Sequence, residues 1–277
     1  MTKTISVLGP SGTFTEEACI RYDGSANMAL CPTITSVGAS VSNSETELGI
    51  VPIENSLGGS VTETLDLLID DPNIFICDEF VMPISHTLMR KKDSVGTNIE
   101  IIFSHPQALA QCKLYLEKHF STTQQVASLS TAAAVQDMYD SSVVSAAIGT
   151  HRAAELHHAD IIAENIQDNS NNATRFVVLA RQDNKITGTD KTSFCVSFNE
   201  DTPGALHDVL GEFAKRGINL AKVESRPTKE SLGKYIFLID CEGHQNDKEI
   251  SDAMNNIREK TSFLRIFGSY PRWDPTK

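Results

Sequence analysis

The sequence lacks the marks of a membrane, secreted or metal-binding protein. None of its apolar runs approaches the roughly 20 residues of a membrane-spanning helix. The chain reaches the apolar residues 5–8 without the basic and long apolar segments of a secretory signal. Its six cysteines are scattered and form no C-x-x-C pair, which argues against a zinc site or a disulfide framework. We therefore expect a cytoplasmic protein with no membrane contact and no metal.

The chain is also short of positive charge. Its 277 residues carry a net charge of -12 without a Lys/Arg block, which disfavours binding to nucleic acid. It contains no G-x-G-x-x-G or G-x-x-x-x-G-K-[ST] for nucleotides, no H-E-x-x-H for a metal and no G-x-S-x-G around a serine nucleophile. An anionic ligand would have to be held by local features such as helix N-termini.

The chain before residue 182 repeats one pattern, a short apolar strand followed by a Gly/Ser/Thr-rich turn and a helix. The pattern occurs after residues 5–8, 48–53 and 101–103, and it is typical of an α/β sheet. Ser130 is a plausible N-cap of a further helix. If several of these helix beginnings meet in one cleft, their backbone N–H groups can hold a small dianion with few basic side chains.

The best candidate for chemistry is the run Asn171-Asn172-Ala173-Thr174-Arg175-Phe176, which leads directly into an apolar strand. It places a hydroxyl, a permanent cation and an aromatic ring side by side. Such a set suits a small substrate that combines carboxylate, hydroxyl and ring, because Arg can bind a carboxylate bidentately while the hydroxyl donates elsewhere.

The C-terminal part changes character after a polar linker over residues 182–191. The order of predicted elements is strand, helix, two strands, helix and strand, with a turn over residues 229–233 between the two central strands. The first helix opens at Pro203-Gly204-Ala205 and stops at Gly217. This order predicts a ferredoxin-like α+β module.

Taken together, these motifs resemble the prephenate dehydratase family. The resemblance rests on Thr174-Arg175-Phe176, on residues 51–56 and 9–14, and on His105-Pro106-Gln107, in the family's order and over essentially the whole chain. It implies an α/β catalytic region of two subdomains like type II periplasmic binding proteins, followed by an ACT regulatory domain. The implied boundaries are residues 1–181 for the catalytic region, divided into 1–78 with 164–181 and 79–163, and residues 192–272 for the ACT domain.

The resemblance implies that prephenate loses carbon dioxide and its ring hydroxyl to give phenylpyruvate, without a cofactor. Thr174 would donate to the leaving hydroxyl, and Phe176 would pack on the ring. Arg175 would bind a substrate carboxylate or pin the loop, while Glu54 would act as a proton donor or, in the reading we favour, orient Asn55. Further polar contacts are expected from Asn55, Ser56, Ser11, Thr13, Ser104, Gln111 and Thr131.

The C-terminal module resembles the ACT domain that binds phenylalanine between two copies, which implies feedback regulation and a homodimer or homotetramer. The implied phenylalanine contacts are Gly204, Ala205, Leu206, Asn219, Leu220, Glu224, Ser225, Arg226 and Pro227. We expect a monofunctional enzyme, without the chorismate mutase domain fused to some relatives. Two alternatives remain open, an arogenate dehydratase and a non-enzymatic amino-acid sensor.

Overall fold

The structure, a computed structural model, describes residues 2–92, 94, 98–200, 202–228 and 234–274. The turn predicted over 229–233 lies outside the described residues. Within them, no helix combines the length and apolar character needed to cross a membrane.

The helices and strands follow one another in three groups. The first group contains β1 (Thr4–Leu8), α1 (Phe14–Tyr22), β2 (Asn27–Cys31), α2 (Ile34–Ser42), β3 (Leu48–Asn55), β4 (Gly59–Ser60), α3 (Thr62–Asp70) and β5 (Phe75–Pro83). The second contains β6 (Thr87–Arg90), β7 (Ile101–Ser104), α4 (Pro106–Gln111), α5 (Lys113–His119), β8 (Gln124–Ala127), α6 (Thr131–Asp140), β9 (Ser145–Gly149), α7 (His151–Leu156) and β10 (Asp160–Ala163). The third contains β11 (Ala173–Ala180), β12 (Asp190–Ser197), α8 (Ala205–Ala214), β13 (Leu220–Pro227), β14 (Tyr235–Glu242), α9 (Lys248–Arg258) and β15 (Phe263–Pro271).

Side-chain caps begin several of the helices at the predicted places. The Ser130 hydroxyl accepts from the N–H of Ala133 at 2.9 Å and begins α6, and Thr13 caps α1 in the same way through the N–H of Glu16. Pro106 occupies the first turn of α4, where its missing N–H costs nothing. The turn sequences therefore specify where these helices begin.

Two sheets of similar construction form the region before the C-terminal module, as the predicted fold class requires. The first has the order β2-β1-β3-β11-β5 and the second the order β8-β7-β9-β6-β10. In each sheet three parallel strands are followed by an antiparallel strand that has just crossed from the other subdomain, namely β11 or β6. The chain thus crosses twice, and the ends of the two sheets enclose a cleft.

The crossing lies later than the predicted boundary at residue 78. Strand β5 stays in the first sheet as far as Pro83, which pairs with Ala173 of β11. The charged pair Asp78-Glu79 interrupts the apolar pattern and conceals the continuation of the strand. Glu79 is nevertheless only 4% exposed, because it pairs with two cations. At the second boundary, β12 begins at Asp190, inside the predicted linker over 182–191.

The C-terminal module has the predicted βαββαβ order, with sheet order β13-β14-β12-β15. One face of its sheet packs on α8 and α9 through Phe194, Val196, Val209 and Phe213. The other face shares a core with the first catalytic sheet, where Cys195, Ile236 and Tyr270 cluster with Ile53 and Ile76. The sheet of the C-terminal module is therefore buried on both faces.

Gly268 marks the closest approach of the two sheets. It lies in β15 at a register irregularity with φ 148°, and a Cβ atom there would stand 2.2 Å from the carbonyl oxygen of Ile76 in β5. We predict that Gly268→Ala lowers the free energy of unfolding by about 1–3 kcal/mol or more, because backbone atoms cannot yield like a side chain. Thermal unfolding measures this effect.

The matched control is Gly211→Ala in α8, where a Cβ atom would meet nothing within 4 Å. Alanine in a helix interior holds or raises the melting temperature. An unchanged melting temperature for Gly268→Ala would contradict the close packing of β15 on β5.

Candidate active site

A cleft of about 340 Å³ lies between the two catalytic subdomains. Its wall is mainly apolar and aromatic, with a few amide, hydroxyl and imidazole groups, and the described residues that line it include no Asp, Glu, Lys or Arg. The lining residues are Phe14, Thr15, Pro52, Asn55, Val61, Ile84, His86, His105, Gln107, Ala108, Gln111, Leu129, Ser130, Thr131, Thr174 and Phe176. Such a site suits a ring-bearing molecule that is oriented by hydrogen bonds.

The Thr174 hydroxyl lies at the buried side of this cleft, with the residue only 7% exposed. Its oxygen accepts a hydrogen bond of 2.9 Å from Nδ2 of Asn55, its partner in the β3–β11 pairing. Because an amide nitrogen can only donate, the hydroxyl hydrogen of Thr174 remains available for another acceptor. The site therefore presents one oriented O–H donor to a bound molecule.

The Asn55 amide is held in the orientation that this contact needs. Its Oδ1 accepts from the backbone N–H groups of Leu57 at 3.0 Å and Gly58 at 2.8 Å. Its Nδ2 also donates to Oδ1 of Asn172 at 2.9 Å. A reversed amide would lose all of these bonds, so the direction of donation toward Thr174 is fixed.

The hydrogen-bond chain continues across the cleft to His86. Nδ2 of Asn172 donates to Oε1 of Gln111 at 3.0 Å, and Nε2 of His86 donates to the same oxygen at 2.8 Å. His86 is 2% exposed, and burial lowers its pKa although the Gln111 contact acts in the opposite direction. The ring is therefore neutral near pH 7, with its proton on Nε2.

Arg175 lies on the opposite face of the sheet from the cleft. Its guanidinium pairs with Glu54 at 3.1 Å, Glu79 at 3.1 Å and Asp240 of the C-terminal module at 3.0 Å. Burial acts to lower the pKa of Arg175, but the carboxylates, Asp240 foremost, raise it above the ordinary value. Of the two roles expected for Arg175, contact with a substrate carboxylate or pinning of the loop, this geometry favours pinning.

Glu54 also lies outside the cleft, beside Arg175 and 3.4 Å from the ammonium group of Lys222. Two residues of β3 pair with one position of β11 here, since Arg175 is opposite Glu54 and Phe176 is opposite Pro52. This bulge turns Ile53 and Glu54 toward the C-terminal module and leaves Pro52 and Asn55 on the cleft side. The geometry does not support Glu54 as a proton donor.

Comparisons with known proteins agree with this architecture. A family model described as Prephenate dehydratase matches residues 5–184, and one described as ACT domain matches residues 196–259. The chain belongs to the prephenate dehydratase family.

A curated relative and two solved structures extend the agreement. The Prephenate dehydratase of Methanocaldococcus jannaschii is 38% identical over 281 residues, covering 99% of this chain and 100% of that protein. A structure of Prephenate dehydratase in complex with L-Phe from Arthrobacter aurescens has a TM-score of 0.90 at 36% identity and covers 97% of this chain and 90% of that one. A structure described as a novel type of quorum quenching acylase has a TM-score of 0.87 at 27% identity, with 99% of each chain covered.

Several predicted site residues of this family member line the cleft, and others do not. Asn55, Gln111, Thr131, Thr174 and Phe176 are among the lining residues. The Phe176 ring is 1% exposed and stacks on Phe80 with centroids 5.6 Å apart, so it forms the floor of the cleft.

Four other predicted contacts have structural partners or lie outside the lining. The Ser104 hydroxyl is fully buried and donates to the carbonyl of Ile148 at 2.7 Å. The Ser56 hydroxyl bridges the turn to the backbone of Asn171 and Ala173. Thr13 caps α1, and Ser11 is exposed. None of the four lines the cleft, although each is near a segment that does.

Sequence reasoning missed His86, Asn172 and Phe14. His86 stands alone between two strands, in no recognisable spacing with the residues it meets. Asn172 was within the quoted run but had no assigned role. Phe14 contacts His86 edge-on at 5.5 Å, a pairing of residues far apart in the chain that only the fold creates.

We predict that His86 makes the protein sensitive to mild acid. The folded-state pKa of His86 is lowered, so in the unfolded chain the ring takes up a proton near its ordinary pKa of about 6.5 while the folded ring resists it. The stability that the neutral ring contributes is complete above that pH and falls as the pH drops below it. His86→Asn therefore shows a smaller decrease in melting temperature between about pH 7.5 and about pH 5 than the wild type.

His207→Asn is the control, because the His207 side chain is 88% exposed. We expect the melting temperature of this variant to decrease with falling pH as much as that of the wild type. Full acid sensitivity in His86→Asn would place the titrating group elsewhere.

Proposed function

We propose that this chain catalyses the decarboxylating dehydration of prephenate to phenylpyruvate, carbon dioxide and water. The observation that carries the proposal is the Thr174 hydroxyl, which accepts from Asn55 and keeps its own hydrogen for a ligand in an apolar, ring-sized cleft. The family membership gives the substrate class.

The chemistry needs little more than such a donor and a shaped cavity. The electron pair of the bond to the departing carboxylate moves into the ring, which becomes aromatic as the hydroxide leaves. A hydrogen bond from Thr174 stabilises the charge that develops on the leaving oxygen, and a proton from solvent completes the water molecule. An oriented donor in a site of low polarity is most effective in the transition state, where that charge appears.

The carboxylates of the substrate would be held without cationic side chains. The first turn of α6 reaches the cleft through Ser130 and Thr131, and a helix of ten residues offers N–H donors and a partial positive charge there. Side-chain amides of Gln107 and Gln111 add further donors. This arrangement permits an acidic protein to bind a dianion.

The lining favours prephenate over arogenate. Arogenate carries an ammonium group where prephenate carries a keto oxygen, and a buried ammonium group needs a carboxylate partner. The described residues that line the cleft include no Asp or Glu. We therefore expect a higher kcat/KM for prephenate.

The similarity to an acylase raises a second activity, which the site geometry disfavours. Acyl transfer requires a nucleophile activated by a base. The hydrogen-bond partner of Thr174 is the Asn55 amide, and His105 is engaged in capping α4 through Nδ1. Neither histidine of the cleft appears among the hydrogen-bond partners of Thr174.

We predict that Thr174→Ala lowers kcat for prephenate by roughly 10²-fold or more, as expected for loss of one oriented donor. Thr174→Ser restores most of the rate, because it keeps the hydroxyl. The measurement is phenylpyruvate formation at neutral pH, with arogenate assayed in parallel.

Thr35→Ala on the exposed surface of α2 is the matched control and keeps the wild-type rate. Equal turnover by wild type and Thr174→Ala would remove Thr174 from the mechanism. A wild type inert toward both substrates but active as an acylase would replace the dehydratase proposal with the acylase.

We further infer that phenylalanine binds where two ACT modules meet in a homodimer or a larger homo-oligomer. Gly204 to Leu206 lie at the end of the module where β12 ends, whereas Asn219 and Leu220 lie at the opposite end of α8. One chain cannot bring both groups to one ligand. A second copy set antiparallel along the edge strand β13 would bring them together.

We predict that millimolar L-phenylalanine raises the melting temperature and lowers turnover of prephenate, because a ligand bound only by the folded state stabilises it. D-Phenylalanine is the control and has little effect. The absence of a shift with L-phenylalanine would leave the module structural or assign it another effector.

A further inference from the structure

Lys222 of the ACT module extends toward the catalytic region and meets three acceptors. Its ammonium nitrogen lies 2.7 Å from Oγ of Ser60, 3.0 Å from Oε2 of Glu224 and 3.4 Å from Oε2 of Glu54. The ammonium group thus donates a hydrogen bond to Ser60 and lies within ion-pair distance of two carboxylates. The Lys222 side chain is 15% exposed, and those of Glu54 and Glu224 are 37% and 32% exposed, so the contact is partly shielded from solvent.

Two of these acceptors, Glu54 and Ser60, lie next to Asn55, the residue that orients the Thr174 hydroxyl. Strands β3 and β4 pair Glu54 with Ser60 and Asn55 with Gly59, so Lys222 holds the base of the turn that follows Asn55. The N–H groups of Leu57 and Gly58 within this turn fix the Asn55 amide. The residues that Lys222 contacts and the N–H groups that orient Asn55 therefore belong to one short turn.

The remaining anchors of the turn belong to the catalytic region. The Ser56 hydroxyl donates to the carbonyl of Asn171 at 3.1 Å and accepts from the N–H of Ala173 at 3.0 Å. Gly58 lies against Gln107 of the second subdomain, since a Cβ atom at Gly58 would stand 2.7 Å from Nε2 of Gln107. The ACT module supplies the anchor at the base through β13.

We propose that Lys222 is a positioning residue for the reaction. By holding Ser60 and Glu54 it fixes the turn over residues 55–60 and thereby the direction in which Asn55 donates to Thr174. Its effect on turnover rests on the proposed function, whereas its effect on Asn55 does not. The ACT module is then a working part of the active site even without an effector.

The position of Glu224 gives this contact a regulatory consequence. Glu224 accepts from Ser60 and pairs with Lys222, and the same residue belongs to the segment 224–227 that the family resemblance implies in phenylalanine binding. A ligand that displaces β13 would move Lys222 and, through its hydrogen bond, Ser60. The turn that orients Asn55 would then shift without a rearrangement of the catalytic core.

The test compares Lys222→Met with Ser60→Ala and the wild type. Methionine keeps the length of the side chain and removes the ammonium group. We expect kcat for prephenate to fall about tenfold or more with KM little changed, since a small misplacement of a reacting group is costly and no residue that lines the cleft is itself replaced. Ser60→Ala, which keeps all charges, lowers kcat in the same direction.

Lys215→Met is the matched control, because it removes the same charge from the ACT module at a side chain that is 71% exposed. It keeps the wild-type kcat. Melting temperatures of all variants show whether each one folds, and Ser60→Ala carries the test if Lys222→Met does not fold.

A second readout separates this inference from the proposed function. The side-chain amide signals of Asn55 in a ¹⁵N NMR spectrum, assigned by their loss in Asn55→Ala, shift in Lys222→Met and Ser60→Ala but not in Lys215→Met. An active wild type with unchanged kcat in Lys222→Met overturns the positioning role. A wild type inert on prephenate defeats the proposed function instead, and the amide signals then decide: unchanged signals overturn the inference, and shifted signals support it.

Discussion

The alternation of side chains along one strand organises the whole site. Successive residues of β11 point to opposite faces of the sheet, so Thr174 faces the cleft and Arg175 faces the ACT module. Phe176 and Val177 repeat the division, the first in the core beside the cleft and the second in the core shared with the ACT sheet. A single strand therefore contributes the hydroxyl donor and the cation that binds the next domain, at adjacent positions.

The face toward the ACT module is held by buried charge. Arg175 meets Glu54, Glu79 and Asp240, and Lys191 binds Glu79 at 2.7 Å, so cations and carboxylates alternate across the domain boundary. Buried ion pairs stabilise little in net terms, because desolvation offsets their attraction, but removal of one partner leaves an uncompensated charge and costs about 3–5 kcal/mol. The cluster therefore adds little to overall stability but fixes the position of the two sheets relative to each other, since separating them would leave buried charges without partners.

Much of the fold was predictable because the sequence states it locally. Caps such as Ser130, the proline that opens α4 and the alternation in β12 fix individual elements, and their order implies two α/β subdomains and an α+β module. The sequence could not show the length of β5, because the charge of Glu79 is hidden by partners 96 and 112 residues away. It also left open whether Arg175 binds a substrate carboxylate or pins the loop, and whether Glu54 donates a proton or orients Asn55, since motif proximity does not reveal which face of a strand a side chain occupies.

The division between the two faces of β11 also accounts for the uncharged cleft, because the charged side chains of this region lie on the other face. Arg175, the cation next to Thr174 in sequence, is already paired with carboxylates on the far side of the sheet, so it draws no anion into the cleft. An acidic chain with an uncharged cleft must rely on donors whose direction is fixed, namely the Thr174 hydroxyl, side-chain amides and the first turn of α6.

Such donors are effective only while their orientation is maintained, and the turn that follows Asn55 maintains the orientation of the Asn55 amide. Lys222 and Glu224 of the ACT strand β13 form hydrogen bonds with Ser60 at the base of that turn. The position of β13 therefore influences the orientation of the Asn55 amide. A regulatory module attached at this place does not need to block the cleft, since a change in the aim of one amide is sufficient.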